Sequence, residues 1–435
     1  MSQLPDAFGL PVTGATPHLV KALDTFGREW ISYGPDLAAL FPAAAKEPGC
    51  HLATAYSALL HMSLEAAEGH SAAQPFLDRL RQAAPLHVTP RERAIIEAAL
   101  AWGQQDHASA LKHFEEAVNL APADIVAAKW GQYLAFNLGD APAMLRLGRK
   151  VMQAHRGTPQ AWGMLAFAQE QSHQLHLAEE SAREALSRDR DEAWAQHALA
   201  HVFETHGRLD EGIDLLQRSA AGWKSRSIFM SEHNYWHLAL FHLDRDEPSE
   251  AVSIYDTRLW GRWPSFSQEQ IGAVSMLWRL ELRGVDVGDR WSPVAREVAA
   301  RADEHLWPFH DMHYAWAFAR AGEGARTDRF MATLRQKADA TGGVWSAVAL
   351  PLATALVAQA RGRHAEAFDA MGGLLPNLQL IGGSHAQRDI FWQAWIDAGF
   401  RAGKGEHLRP VLEERMKARP GVQVHARDFR RLQAA

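Results

Sequence analysis

ASALKHFEEAVNLAP, residues 108–122, is the stretch that decides the fold. Its small, aromatic and proline residues follow one another at spacings of 4, 3 and 5 positions, namely Ala110, Phe114, Ala117 and Pro122. This is the pattern of the second helix of a tetratricopeptide repeat, a helix pair of about 34 residues. The small residues allow that helix to approach its neighbour closely, and the proline ends it. The stretch therefore predicts stacked antiparallel helix pairs.

The same pattern continues towards the C-terminus in three further units. One begins at Trp162, and the next begins near Trp194 and turns at Gly207, where glycine can adopt a positive φ. The last covers HNYWHLALFHLDRDEPSEAVSIYD, residues 233–256, in which Pro248 fits the first position of a second helix. Outside this centre, apolar residues recur at helical spacing in segments 16–32, 51–69, 89–104, 266–283, 309–320, 343–361 and 384–400.

These observations predict an all-α, tetratricopeptide-repeat-like α-solenoid, a right-handed superhelix of antiparallel helix pairs. The sequence contains no convincing alternating β pattern and no glycine-rich phosphate loop after a strand. DTRLWGRWPSF, residues 256–266, is the largest irregular insertion. We place there the seam between tetratricopeptide-like pairs over 1–255 and helical repeats over 256–435, which we expect to continue in one superhelix.

The composition argues against several classes of protein. Apolar residues make up 47% of the 435 residues, which is typical of a folded chain, and 45 basic against 51 acidic residues give a net charge of −6. No basic stripe and no apolar run of about 18 residues is present, so we expect neither nucleic acid nor a membrane as partner. With Cys50 as its one cysteine and no signal-peptide pattern, we expect a cytoplasmic protein without disulfides.

Two short segments carry paired histidines. His197 and His201 are four residues apart, as are His233 and His237. On a helix such pairs share a face about 6 Å apart, which is the spacing that holds a metal ion with two imidazoles. Glu204, three residues after His201, extends the first stripe.

The two pairs are also related to each other, because both members are displaced by 36 residues, close to one repeat length. Both pairs therefore fall on first helices of adjacent repeats, which line the concave wall of a tetratricopeptide array. This predicts a shared polar pocket, and it leaves open whether the four histidines hold zinc, iron or manganese. The wall of the pocket could include tryptophans near these segments: Trp194, Trp236, Trp260, Trp263 and Trp316.

Polar residues in two later segments are further candidates. Asp311 and His313 in FHDMHYAWAF are two residues apart, so on a helix they point to different faces and are not expected to be partners. In GGSHAQRDIF, residues 382–391, we expect Ser384 to be a helix N-cap. Arg388 and Asp389 that follow could be a buried structural pair or an anchor for a ligand carboxylate.

These segments give the chain a resemblance to a known family. AHVFETHGRLDEGIDLL, HNYWHLALFHLDRDEPSEAVSIYD, LRGVDVGDRW and GGSHAQRDIF together resemble the tetratricopeptide-repeat protein 38 family over nearly the whole chain. The resemblance implies an α-solenoid and no particular activity. The resemblance implies that the residues of the family pattern are His197, His201, His233, Asn234, His237, Asp311, His313, Gln387, Arg388 and Asp389. This chain has His385 where the family pattern has Asn.

Two functions fit the sequence. In the first, the protein binds a small molecule or a peptide segment against the four histidines, with Glu204, Asn234 and the later polar residues around it and Arg388 as an anion anchor. In the second, it is an enzyme of the hydrolase or lyase type, in which a histidine is a general base or the histidines hold a divalent metal. The sequence does not decide between them, and it leaves homo-oligomerisation open.

Overall fold

The computed structural model describes residues 3–83 and 87–434, and helices dominate these residues. A two-stranded antiparallel hairpin, β1 (Gln3–Pro5) and β2 (Pro11–Thr13), precedes them. The first helices in chain order are α1 (Pro17–Ser32), α2 (Leu40–Lys46), α3 (His51–Met62), α4 (Ala67–Gln82), α5 (Pro90–Gly103), α6 (His107–Leu120), α7 (Ile125–Asn137), α8 (Ala141–Val151), α9 (Pro159–Gln171), α10 (Leu175–Arg188), α11 (Ala193–His206) and α12 (Leu209–Ser219).

The remaining helices continue in chain order. They are α13 (Ile228–Asp244), α14 (Pro248–Ile254), α15 (Ser267–Leu282), α16 (Trp291–Val298), α17 (Pro308–Arg320), α18 (Gly324–Thr341), α19 (Leu350–Ala360), α20 (His364–Gly372), α21 (His385–Arg401), α22 (Gly405–Ala418) and α23 (Gln423–Ala434). Short 3₁₀ or π turns lie at Leu37–Ala39, Gly222–Ser225, Tyr255–Leu259, Gly288–Arg290, Ala299–Arg301, Trp345–Ala349 and Leu375–Ile381.

The chain forms two compact units. The first contains residues 3–83, 87–199 and 221–230, and the second contains residues 200–220 and 231–434. Two of the three boundaries fall inside α11 and α13, and the third follows the end of α12. The predicted seam at residue 256 separates two kinds of helical repeat. The division into compact units does not test a change of repeat type, so the seam stays a prediction.

The first unit confirms the repeat pattern from which the fold was predicted. Ala110, Phe114 and Ala117 of α6 are completely buried, and α6 ends at Leu120, just before Pro122. Helices α5 with α6, α7 with α8 and α9 with α10 pack as consecutive pairs. The small residues matter because these helices approach closely: a Cβ added to Gly131 of α7 would lie 2.7 Å from a Leu147 methyl of α8.

The second unit repeats this packing. A Cβ on Gly212 of α12 would lie 2.2 Å from the ring of Phe241 on α13, so only glycine fits there. Pro248 stands at the start of α14, as predicted. Helix α15 contacts both α17 and α21, so these three helices lie together. The predicted tetratricopeptide-like α-solenoid is confirmed in both units.

The C-terminal helices of the second unit pack against the end of α11. Gly421, just before α23, approaches so closely that a Cβ there would lie 2.5 Å from the carbonyl oxygen of Gly207. Gly207 itself has a φ of 68°, which glycine adopts without strain. This contact brings the Arg419 guanidinium to the backbone of Glu204.

Two local features are not evident in the sequence pattern. The segment 51–69, in which apolar residues recur at helical spacing, contains a helix boundary: α3 ends at Met62 and α4 begins at Ala67, with Glu65 at a φ of 56° between them. The β1–β2 hairpin was not predicted, since its strands have only three residues each. Its turn is closed by the Asp6 carboxylate, which accepts from the backbone N–H groups of Phe8 and Leu10. Over the described ranges, every helix is too short or too polar to cross a bilayer.

Candidate functional site

Two histidines on neighbouring helices face each other inside the second unit. His201 lies on α11 and His237 on α13, and both side chains are buried. Their ring centroids are 4.4 Å apart, and each ring offers a nitrogen within 4.8 Å of the other. Burial lowers the pKa of both imidazoles, to about 3 for His237. Two neutral rings therefore meet, and neutral imidazole is the form that ligates metals.

Glu204 extends this pair along α11. Its Oε2 lies 3.3 Å from Nδ1 of His237. Burial raises the pKa of Glu204 to about 8, although the nearby Arg419 guanidinium opposes the change. The carboxyl group and the imidazole therefore meet as an uncharged pair. Ligation by His237 would use Nε2, with the ring proton on Nδ1 donating to Glu204 Oε2.

The other two histidines of the predicted set have different surroundings. His233, one turn before His237 on α13, meets that ring edge-on with 5.0 Å between centroids, and burial lowers its pKa. His197 belongs to the first unit, where it stacks on Trp194 with 4.3 Å between centroids.

A small cavity beside the His233 ring is lined from α13, α15, α17 and α21. Its free volume is about 20 Å³, enough for about one water-sized group. The cavity gathers three predicted site residues from three helices, together with a tryptophan expected in the wall: His233, His313, Gln387 and Trp236. Its other lining residues were not predicted, mostly because they lie on α15, which carries no recognisable motif: Gln268, Ile271, Gly272, Ser275 and Phe309.

The polar groups at this cavity are complementary to each other. Nδ1 of His313 donates to the carbonyl oxygen of Phe309 at 2.9 Å, and burial lowers the pKa of His313 to about 3. Its Nε2 is therefore an acceptor, and it has no hydrogen-bond partner among the described residues. Gln387 accepts with Oε1 from the Ser384 backbone N–H at 2.8 Å, which leaves its amide N–H₂ as a donor. One acceptor and one donor thus line the same cavity.

Arg279 on α15 holds the wall of the cavity in place, and sequence reasoning missed it. Its side chain is 1% exposed and lies over the Trp236 ring, 5.1 Å from the centroid. It donates to the Ser275 hydroxyl and to the carbonyl oxygen of Ala386 at 2.7 Å. Burial lowers its pKa to about 10, so the group remains a cation at neutral pH. The available signal was one arginine inside the buried run AVSMLWRLEL.

Asp311 and His313 point to different neighbours, as their spacing predicted. Asp311 accepts from Nδ1 of His305 at 2.6 Å, and Nε2 of His305 lies 2.8 Å from the Thr333 hydroxyl. Burial raises the pKa of Asp311. Its carboxyl group does not line the cavity beside His313, so its predicted part in ligand binding gains no support from this geometry.

Arg388 and Asp389 do not form the ion pair that was one of the two alternatives. Asp389 accepts two hydrogen bonds from the Arg415 guanidinium, at 2.7 and 3.1 Å, and this cation holds its pKa well below the usual range against the effect of burial. Arg388 instead donates to the carbonyl oxygen of Gly383, so it fixes the loop before α21. Ser384 is the N-cap of α21, as predicted, and Gln387 completes its capping box.

Asn234 was predicted to be a site residue only because of the family resemblance. It is completely buried on α13, and its amide nitrogen and oxygen both lack a hydrogen-bond partner among the described residues. It does not line the cavity that His233 lines.

Comparisons with known proteins add little to this site. No model of a known protein family matches the chain. It is similar to the APC/C hetero-tetramer Cut9–Hcn1, with 12% identity, a TM-score of 0.42, and coverage of 87% of this chain and 71% of that chain. It is also similar to a human IFIT1 dimer with PPP-AAAA, with 14% identity, a TM-score of 0.41, and coverage of 95% of this chain and 88% of that chain. Likeness at this level gives no information about function, and the fold rests on the helix pairs themselves.

Proposed function

We propose that this protein is a repeat-type binding protein that holds a hydroxyl-bearing small molecule or peptide segment at the cavity between α13, α15, α17 and α21. The observation that carries the proposal is the convergence of His233, His313 and Gln387 on one cavity from three helices. A repeat array needs no such polar convergence for its own packing, because its helices pack through small and apolar residues.

The chemistry of the lining favours a hydroxyl group. His313 presents an acceptor and Gln387 a donor, and one hydroxyl oxygen both donates and accepts. The cavity admits about one water-sized group. A longer ligand would therefore lie across the mouth, against Trp236 and Phe309, and insert one hydroxyl. Sites that hydrogen-bond a hydroxyl discriminate strongly against analogues that lack it.

Gly272 offers a direct test, because it lines the cavity and a Cβ added to it meets no atom within 4 Å. The Gly272→Ala variant should keep its melting temperature or gain stability, since alanine favours a helix by about 1 kcal/mol over glycine. Its methyl group should fill the cavity and abolish binding. We would measure thermal stabilisation by small alcohols, sugars and Ser-containing dipeptides, each paired with a hydroxyl-free analogue.

Gly324→Ala is the matched control, because Gly324 is also helical with open space around its added Cβ, and it lies away from the cavity. The wild type and this control should be stabilised by hydroxyl-bearing compounds and not by their analogues. Equal stabilisation of the Gly272→Ala variant, or equal effects of both members of each pair, would contradict the proposal.

A second candidate function, metal-dependent catalysis, is favoured by the contact of Glu204 with His237. A carboxyl group on Nδ1 of a histidine orients the ring for ligation through Nε2, and His201 offers a second nitrogen within reach. Zinc, iron or manganese bound there would activate a water molecule. General-base catalysis by these rings is less favoured, because an imidazole with a pKa of about 3 is a weak base at neutral pH.

Metal titration tests this second candidate. Protein purified without a His tag should bind Zn²⁺, and His237→Ala should weaken binding at least 100-fold. Glu204→Gln should weaken it about 10- to 100-fold, as loss of an outer-shell partner does. His176→Ala, at an exposed histidine of α10, is the control and should bind as the wild type does. Absence of Zn²⁺ binding to the well-folded wild type would remove this candidate.

The remaining expectations stay proposals. They are membership of the tetratricopeptide-repeat protein 38 family, a cytoplasmic location, the absence of a nucleic-acid partner, and self-association. None of the binding experiments above depends on them.

A further inference from the structure

Two buried carboxyl groups of the second unit meet at the loop 260–266, which precedes α15. Glu232 on α13 is 6% exposed and Glu269 on α15 is 3% exposed, and a side-chain hydrogen bond joins them. Neither residue lines the cavity described above. A hydrogen bond between two carboxyl groups requires a proton on one of them. At most one member of the pair is therefore ionised while the two are in contact.

Glu269 is the ionised member, because its carboxylate holds the loop. Its Oε1 accepts from the backbone N–H of Gly261 at 2.7 Å, and its Oε2 accepts from that of Trp263 at 2.5 Å. Donors of this kind favour the charged form of a carboxyl group. Glu232 is therefore the protonated member and donates to Glu269, while Oε1 of Glu232 has no hydrogen-bond partner among the described residues.

The charges around the pair agree with this assignment. Arg262 attracts Glu232, but its Nε lies 3.9 Å from Oε1 and its side chain is 45% exposed, so solvent weakens the attraction. Burial and the charge of Glu269 together raise the pKa of Glu232 to about 9. Tyr255, in the turn after α14, also interacts with Glu269, and burial raises its pKa, so it stays uncharged.

The two halves of the loop are held in different ways. The carbonyl oxygen of Pro264 accepts from the Gln270 amide at 2.9 Å, and that of Ser265 accepts from the Arg301 guanidinium at 2.5 Å. Neither donor changes its charge near neutral pH. The half at residues 261–263 is instead held by the Glu269 carboxylate, so this half depends on the proton of the carboxyl pair.

We propose that Glu232 and Glu269 form a proton-dependent latch, which keeps residues 261–263 in place while the pair holds its proton and releases them when the proton is lost. Opening of the loop exposes Glu232 to water, where a glutamic acid is ionised above about pH 4.3. One proton therefore leaves on opening. The open form should gain about tenfold over the closed form for each pH unit between about 4.3 and about 9, so the latch weakens as the pH rises.

Trypsin cleavage after Arg262 tests the latch on the full chain, because this bond lies in the segment that is released. Glu232→Gln keeps the hydrogen bond, since its amide group donates to Glu269 and cannot ionise. The cleavage rate of the wild type, divided by that of this variant at the same pH, should rise about 100-fold from pH 6.5 to pH 8.5. Because both rates are measured at the same pH, the pH dependence of trypsin cancels in the ratio.

Two further variants complete the test. Glu250→Gln, at an exposed site on α14, should be cleaved as the wild type is at every pH. Glu269→Gln has one oxygen in place of two acceptors for the loop, and it should be cleaved rapidly at every pH. A ratio that does not change between pH 6.5 and pH 8.5 would overturn the proposal, as would cleavage of Glu269→Gln at the rate of the wild type. These rates report on the loop and involve no ligand, so this proposal and the hydroxyl site fail separately.

Discussion

Replacement of His313 by glutamine is expected to make the protein less sensitive to acid by about 3 kcal/mol between pH 7 and pH 4. The folded state holds this imidazole neutral down to about pH 3, because it is buried, whereas the unfolded chain protonates it near pH 6.5. Below pH 6.5 the unfolded state therefore binds one more proton, and stability falls by about 1.4 kcal/mol per pH unit. Glutamine removes this loss and can still donate to Phe309.

The measurement is the free energy of urea unfolding at several pH values for the variant and the wild type. The free energy of unfolding of the variant, minus that of the wild type, should increase as the pH falls. His176→Gln, at an exposed site, should follow the wild type at every pH. A constant difference between pH 7 and pH 4 would mean that His313 is protonated in the folded protein, and its role as a neutral acceptor would be lost.

Arg415→Ala is expected to destabilise the second unit by about 2–3 kcal/mol. The substitution leaves the Asp389 carboxylate with Gln393 as its remaining hydrogen-bond donor, and breaking a buried pair costs about 3–5 kcal/mol. We expect a smaller loss of stability than this because the side chains of Arg415 and Asp389 are 17% and 22% exposed. Their stabilisation is present at neutral pH and should fade as pH falls through the lowered pKa of Asp389.

Two comparisons make this expectation specific. Arg218→Ala breaks the exposed pair with Asp214 on α12 and should cost at most about 1 kcal/mol. Adding Asp389→Asn to Arg415→Ala should recover stability, because no unpaired charge then remains. Urea unfolding would measure all of these variants. Equal losses at both arginines, or no recovery in the double variant, would show that the ion pair is not what holds α21 and α22 together.

Much of the fold was predictable because close helix packing requires small residues at fixed positions. Ala110, Ala117 and Gly212 lie where neighbouring helices leave no room for a larger side chain. Proline contributed in the same way, since Pro248 fits only the start of a helix. The β1–β2 hairpin escaped prediction because three-residue strands carry too few positions for an alternating pattern.

The site was predictable only in part. Histidines four residues apart share a helix face by geometry alone, so the approach of His201 to His237 followed from spacing and repeat length. The meeting of His233 with His313 and Gln387 depends on how α15 contacts both α17 and α21, which no local pattern encodes. Arg279 was hidden for the same reason, because its partners on α21 lie more than 100 residues away.

The cavity of the second unit should bind a ligand hydroxyl through His313 and Gln387. A high-resolution crystal structure of the tag-free protein, soaked with the compound that gives the largest thermal stabilisation, tests it most directly. We expect a hydroxyl oxygen about 2.6–3.2 Å from Nε2 of His313 and from the amide nitrogen of Gln387, and an empty density map at that position in Gly272→Ala crystals. A compound bound elsewhere, with water alone in the cavity, would contradict the account.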